Sequence, residues 1–180
     1  MKKHAVLSAL GRDRVGVADD LAAALAIRKI DIEHSRMTAL KGHFAVIVEL
    51  CGTAKDVAKL QDDLDTLGPK LGCHLQMGTV GSSRPVTSVP EYWIESVSTA
   101  PSGIGAVTAV LKRYDINIDD LETDSSLGLW ESAIMFRMKA SISIPPTVSF
   151  AKLREELHEV ERERNLDIVI KPKTPGEVLV

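Results

Sequence analysis

Aromatic side chains are scarce in this chain of 180 residues: three Phe, two Tyr and two Trp. A core must therefore be built from Leu, Val, Ile and Ala. Cysteine is scarcer still. Cys51 and Cys73 alone make no disulfide framework, and a lone pair fits a reducing compartment, so a cytoplasmic protein is expected. No apolar run reaches the roughly 18 residues that a membrane helix needs. The N-terminal Met-Lys-Lys-His leads straight into a strand-like stretch, without the apolar region of a signal peptide. An excess of positive charge is also missing. Twenty-two Lys and Arg stand against 25 Asp and Glu, giving a net charge of −3, which argues against direct nucleic-acid binding. What is present, 44% apolar and 26% charged residues, is the balance of a folded globular protein.

The segment 81–90, GSSRPVTSVP, combines Gly, Ser and two prolines with no periodic apolar signal and reads as a linker. The halves on either side, 1–80 and 91–172, have the same element order, with 173–180 left as a tail. In the first half, 4–10 reads as a strand. Val17, Leu21, Ala24 and Leu25 mark a helix within 15–28. Strands at 30–39 and 43–51 meet at Leu40-Lys41-Gly42, a hairpin turn. Val57, Leu60, Leu64 and Leu67 mark a charged helix that should stop at Gly68-Pro69, and 71–77 is a last strand. In the second half, strands are expected at 91–98, 116–124, 130–140 and 166–171. Ile104, Val107, Leu111 and Tyr114 mark one helix, and Phe150, Leu153, Leu157 and Val160 another. An offset of 86 places Leu21 on Val107, Leu25 on Leu111, Ile30 on Ile116 and Ile32 on Ile118; the first strand fits at 87. The chain reads as a tandem duplication of a β-α-β-β-α-β unit, an α+β class with the ferredoxin-like order. A unit of this size is marginal alone and gains from pairing, which also covers open sheet edges.

The most distinctive segment is 11–16, GRDRVG, between the first strand and the first helix. Two glycines permit a tight turn and close backbone approach. The helix start offers N–H groups and the positive end of its dipole, a natural place for a carboxylate. The plainer reading is that Asp13 caps the helix while Arg12 and Arg14 are solvated. Other signals are weaker. Gly103-Ile104-Gly105 resembles part of a dinucleotide fingerprint, but Thr108 stands where a third glycine belongs. The five histidines have no metal spacing and the cysteines form no CxxC pair, so no metal and no cofactor is expected and the cysteines read as small apolar fillers. Asp19-Asp20, Asp62-Asp63 and Asp119-Asp120 read as solvated charge, and 152–164, KLREELHEVERER, as an exposed helical face with Glu/Arg pairs. No nucleophile has an evident base, so no catalytic residue is assigned.

ALGRDRVG at 9–16, DIEHSR at 31–36 and INIDDL at 116–121 resemble ACT domains, small regulatory modules that bind amino acids. The whole layout is similar to the glycine cleavage system transcriptional repressor family, which carries two such domains in tandem. That resemblance implies a ligand held where the first-strand loop of one domain meets the second strand of another. Gly11, Arg12, Asp13, Arg14, Val15, Gly16 and Val17 would offer donors to its carboxylate. Asp31 and carbonyls near Ile32 would receive its ammonium. In the second half the matching positions are Ser102, Gly103, Asn117 and Ile118. The family usually has Pro at the position of Val15 and often Asn at that of Asp31; an ionised Asp31 cannot donate to a carboxylate. The second loop, Thr99 to Gly103, lacks the charged pair.

The expectation is thus a non-enzymatic sensor of a free amino acid, glycine or serine favoured by a small pocket, forming a homodimer. It would control amino acid metabolism by acting on transcription of glycine cleavage genes through a transcription-activator protein partner. Two rivals are an assembly module that uses the same fold without a ligand, and a small enzyme with Asp13 or Asp31 as its titratable group.

Overall fold

The computed structural model describes residues 2–80, 89–127 and 134–174. Residues 81–88 of the expected linker, 130–133 of an expected strand and 175–180 of the expected tail lie outside the described residues. The chain divides into two compact units, Met1–Arg84 and Pro85–Val180.

The first unit contains β1 (Lys2–Arg12), α1 (Val17–Ile27), β2 (Asp31–Leu40), β3 (His43–Thr53), α2 (Ala54–Leu71) and β4 (Cys73–Thr79). The second contains β5 (Glu91–Ser98), α3 (Ser102–Arg113), β6 (Asn117–Leu127), β7 (Ile134–Ser143), α4 (Phe150–Arg164) and β8 (Leu166–Pro172). Each unit forms a four-stranded antiparallel sheet, in the orders β2-β3-β1-β4 and β6-β7-β5-β8. Both are ferredoxin-like, and the duplication read from apolar spacing holds in the topology.

The spacing also identifies the buried faces. Leu21 and Leu25 of α1 and Leu60 and Leu64 of α2 meet Phe44, Val46, Val48 and Leu50 of β3 in one cluster. Val107, Leu111, Leu153 and Leu157 do the same over Ala140 and Ile142. The hairpin between β2 and β3 turns on Lys41 and Gly42, both at positive φ, as a two-residue turn between twisted strands requires. The second helix of each unit is capped by a hydroxyl: Thr53 accepts from the Asp56 N–H, and Ser149 from that of Lys152.

One boundary differs from expectation. α2 does not stop at Gly68-Pro69 but continues through the pair to Leu71, where Gly72 closes it at φ 69°. Pro69 lies in the last turn, where it forfeits a single helical bond. Gly68 serves an approach to β4, since a Cβ there would come within 2.7 Å of the Cys73 carbonyl oxygen.

The two sheets share an irregularity. In β2 the register passes from Ile32 opposite Leu50 to His34 opposite Glu49, leaving Glu33 as an extra residue. In β6 it passes from Ile118 opposite Ile142 to Asp120 opposite Ser141, leaving Asp119. These bulges sit at the same offset that aligns the two cores.

Candidate functional site

The segment 11–17 begins inside a strand. Gly11 and Arg12 end β1, where Gly11 stands opposite Phe44 of β3 and Cys73 of β4. The close approach at Gly11 is to the chain itself, because a Cβ there would lie 2.7 Å from the Gly72 carbonyl oxygen. Asp13 is not the helix cap: its N–H donates to the Gly42 carbonyl at 3.0 Å, tying the loop to the β2–β3 turn. The N-cap is Gly16, at φ 88°, and no side chain caps α1. Arg14 forms an ion pair with Asp20 at 2.6 Å, and Val15 is fully exposed. The second unit has the same arrangement, with Pro101 at the N-cap of α3 and no side-chain cap. The second helices have hydroxyl caps and the first helices do not. This leaves the starts of α1 and α3 without a side-chain cap beside a loop.

Asp31 and Ile32 stand elsewhere. They open β2 opposite Cys51 and Leu50, whereas the loop joins the sheet at the Phe44 end of β3. Seven strand steps separate Phe44 from Cys51, roughly 24 Å at the rise of an antiparallel strand. Within the first unit the loop and Asp31 therefore lie at opposite ends of the sheet. In the second unit Ser98, which precedes the loop to α3, pairs with Phe136, while Asn117 pairs with Ser143. Ser102 and Gly103 are thus as far from Asn117 and Ile118 as their counterparts are from each other. Gly103 packs on β5, a Cβ there falling 2.7 Å from Ser98 Oγ, so its role beside Gly105 is helix–strand packing. The Asn117 amide donates to Asp119 at 2.6 Å, and Ser143 donates to the same carboxylate at 2.6 Å.

β2 is an edge strand, and all ten of its residues are exposed. Ile32, Met37 and Leu40 are among the exposed apolar side chains of the unit.

The charged helix α4 is more than a solvated face. Glu156 accepts from Arg113 at 2.7 Å and from the Tyr114 hydroxyl at 2.7 Å, which joins α4 to the end of α3. The Arg113 hydrogen bond, then that of Tyr114, hold the Glu156 carboxyl below its ordinary range; the same contact, with burial, pushes the Tyr114 hydroxyl up. Glu161 accepts from the Ile168 N–H at 2.6 Å, fastening α4 to β8.

Spacing along the chain does not reveal one further group. His4 of β1 stands opposite Cys51 of β3, and the bulge brings Glu33 to the same place. His4 Nδ1 lies 3.2 Å from Glu33 and 3.6 Å from Glu49, and its Nε2 lies 3.9 Å from Cys51 Sγ. Burial pushes the Cys51 thiol up, Lys2 opposes that, and Glu33 and Asp31 add to it. Only the pairing register, with its bulge, brings these four residues together.

Among the described residues no helix is long and apolar enough to cross a membrane. Residues 3–78 match the family model of the ACT domain. Over 164 residues the chain is 23% identical to the glycine cleavage system transcriptional repressor of Escherichia coli K12, covering 90% of this chain and 86% of that protein. The solved structure of an unknown protein from Galdieria sulphuraria is 29% identical, with a TM-score of 0.84 over 97% of this chain and all of that one. A second solved structure, assigned to the glycine cleavage system repressors, is 16% identical. Its TM-score of 0.71 over 96% of this chain and 98% of that one shows the shared fold. The match to the ACT domain thus covers the first unit, and along most of its length the chain is similar to the glycine cleavage system transcriptional repressor.

Proposed function

We propose that this chain is a non-enzymatic regulatory protein that senses a small free amino acid, glycine or serine, at a site shared by two ACT-type units. The observation that carries this reading is the separation of the two halves of the site. The uncapped start of α1 with its loop 11–17 offers donors for a carboxylate, and Asp31 with the start of β2 offers an acceptor for an ammonium, but they lie at opposite ends of one sheet. A zwitterion can use both only if a second unit brings its β2 to the first unit's loop. The ligand would then favour one paired arrangement over another, which makes it a signal. The fully exposed edge strand β2 supports pairing into a homodimer. Relationship to the glycine cleavage repressor supports control of amino acid metabolism through transcription of glycine cleavage genes. With a net charge of −3 the chain would act there through a protein partner.

The exposure of β2 equally favours the reading in which the chain is an assembly module that binds no ligand. Calorimetric titration with glycine, then serine and the other amino acids, separates the two. Saturable binding that is lost in Gly16→Trp supports the sensor. Gly16→Asn controls for strain, since Asn tolerates the left-handed conformation that Gly16 adopts. Absence of heat with every amino acid, from a folded protein, rejects the sensor and leaves the assembly module.

A further inference from the structure

We propose that His4, Glu33 and Cys51 form a binding site for one divalent cation of the zinc type, with Glu49 orienting the imidazole. This goes beyond amino acid sensing and does not depend on it.

One donor atom from each of His4, Glu33 and Cys51 lies within 4.8 Å of those of the other two. A tetrahedral zinc site with bonds of about 2.0–2.3 Å places its donors about 3.3–3.8 Å apart. The 3.9 Å between His4 Nε2 and Cys51 Sγ lies close to that range, and Glu33 reaches the same imidazole at its Nδ1, 3.2 Å away. Imidazole, thiolate and carboxylate together make a donor set for zinc rather than for calcium or magnesium, which take oxygen ligands. His4 faces Cys51 through Nε2, and through Nδ1 it faces Glu33 at 3.2 Å and Glu49 at 3.6 Å. A cation on Nε2 draws Glu33 from Nδ1 to itself and leaves Nδ1–H to donate to Glu49, the carboxylate–histidine–metal arrangement that fixes ring orientation. Three protein ligands leave a fourth position for solvent.

The second unit supplies the comparison. The residues at the same register positions are Glu91 opposite Ser143, with Asp119 as the bulge residue. There the bulge carboxylate is satisfied by the Ser143 hydroxyl and the Asn117 amide, and Glu91 pairs with Lys173 at 2.7 Å. In the first unit the same backbone device instead gathers a histidine, a thiol and two carboxylates. Lys2 is the cation whose charge acts on the thiol, against those of Glu33 and Asp31. A divalent ion offsets that surplus of negative charge. On binding, the thiol proton leaves to solvent and the Cys51 sulfur becomes a thiolate ligand.

The test is titration of the metal-free full-length chain with Co²⁺, followed by competition with Zn²⁺. The expected result is one equivalent bound with a thiolate-to-cobalt charge-transfer band and tetrahedral ligand-field bands, both abolished by zinc. Cys51→Ser should remove the charge-transfer band and Cys73→Ser should keep it. His4→Gln and Glu33→Gln should each weaken binding at least about tenfold. No charge-transfer band in the wild type, or a band that survives Cys51→Ser, overturns the proposal. Should Cys51→Ser fail to fold by circular dichroism, the exposed positions decide it: unchanged affinity in both His4→Gln and Glu33→Gln overturns it. Amino acid calorimetry on the same metal-free protein reads the sensing site separately, so either reading can fail without the other.

Discussion

Lys29 and Asp115 occupy the same position in their units, one residue past the C-cap of the first helix, and both are left-handed, at φ 58° and 53°. In each unit the next residue, Ile30 or Ile116, returns its N–H to the carbonyl of Leu25 or Leu111, at 3.1 and 3.0 Å. That is the helix-ending motif in which glycine normally takes the left-handed place. Lys29→Gly and Asp115→Gly should each stabilise the chain by about 1 kcal/mol by removing the Cβ penalty. Thermal unfolding should show a rise of about 2–4 °C for each. A fall in Tm for both would show that the side chains have contacts that outweigh the strain.

Glycines in this chain divide by what lies beside them. Gly11→Ala should destabilise by about 1–3 kcal/mol, since its Cβ would meet the Gly72 carbonyl at 2.7 Å. Gly105→Ala, on the exposed side of α3 with nothing within 4 Å, should stabilise by up to about 1 kcal/mol. Urea unfolding of the two variants should move the midpoint in opposite directions. Movement in the same direction would refute the steric account of Gly11.

Glu156 gives the second unit an acid-sensitive joint. Its carboxyl is held below the ordinary glutamate range by Arg113 and Tyr114, so the unfolded chain takes up that proton first as pH falls. The contribution is complete above the ordinary glutamate pKa and disappears as pH drops through the lowered one. Glu156→Gln should flatten the loss of stability over that window, and Tyr114→Phe should cost about 1 kcal/mol at neutral pH. Urea midpoints from neutral to strongly acidic pH check both. An unchanged acid slope in Glu156→Gln would remove the joint from the account.

The proposed pairing through the β2 edge has its own test. Ile32 and Met37 are both exposed. The double change Ile32→Lys and Met37→Lys should lower the sedimentation mass toward that of one chain while leaving the circular dichroism spectrum unchanged. An oligomer of unaltered mass would exclude this edge from the interface.

Much of the fold was legible because it repeats on the period of its elements. Leu21 and Leu25 mark α1, Phe44, Val46, Val48 and Leu50 mark the buried face of β3, and Lys41-Gly42 marks the hairpin, each within a few residues. The end of α2 was not legible. Gly68 and Pro69 look alike as breakers whether they stop a helix or sit in its last turn, and only the approach of β4 decides. The candidate site was legible in part. The uncapped start of α1 needed the structure, because Asp13 is as good a cap as any in sequence and is drawn off by Gly42. The His4–Cys51 pairing was invisible, since 47 positions separate the two residues and a bulge at Glu33 completes the group.

The order of strands has a consequence for synthesis. β1 is the first strand of its unit, and one of its neighbours, β4, is the last, ending at Thr79. Until Thr79 has left the ribosome, β1 has one side unpaired while β2 presents the other free edge. Chains grow at about 5–20 residues per second, so this half-built sheet lasts for seconds. When the second unit follows, β8 emerges as a strand shaped for an equivalent slot beside β5, which creates an opportunity for exchange between the halves. Sequential emergence guards against it, because β4 is available to close the first sheet before β8 exists.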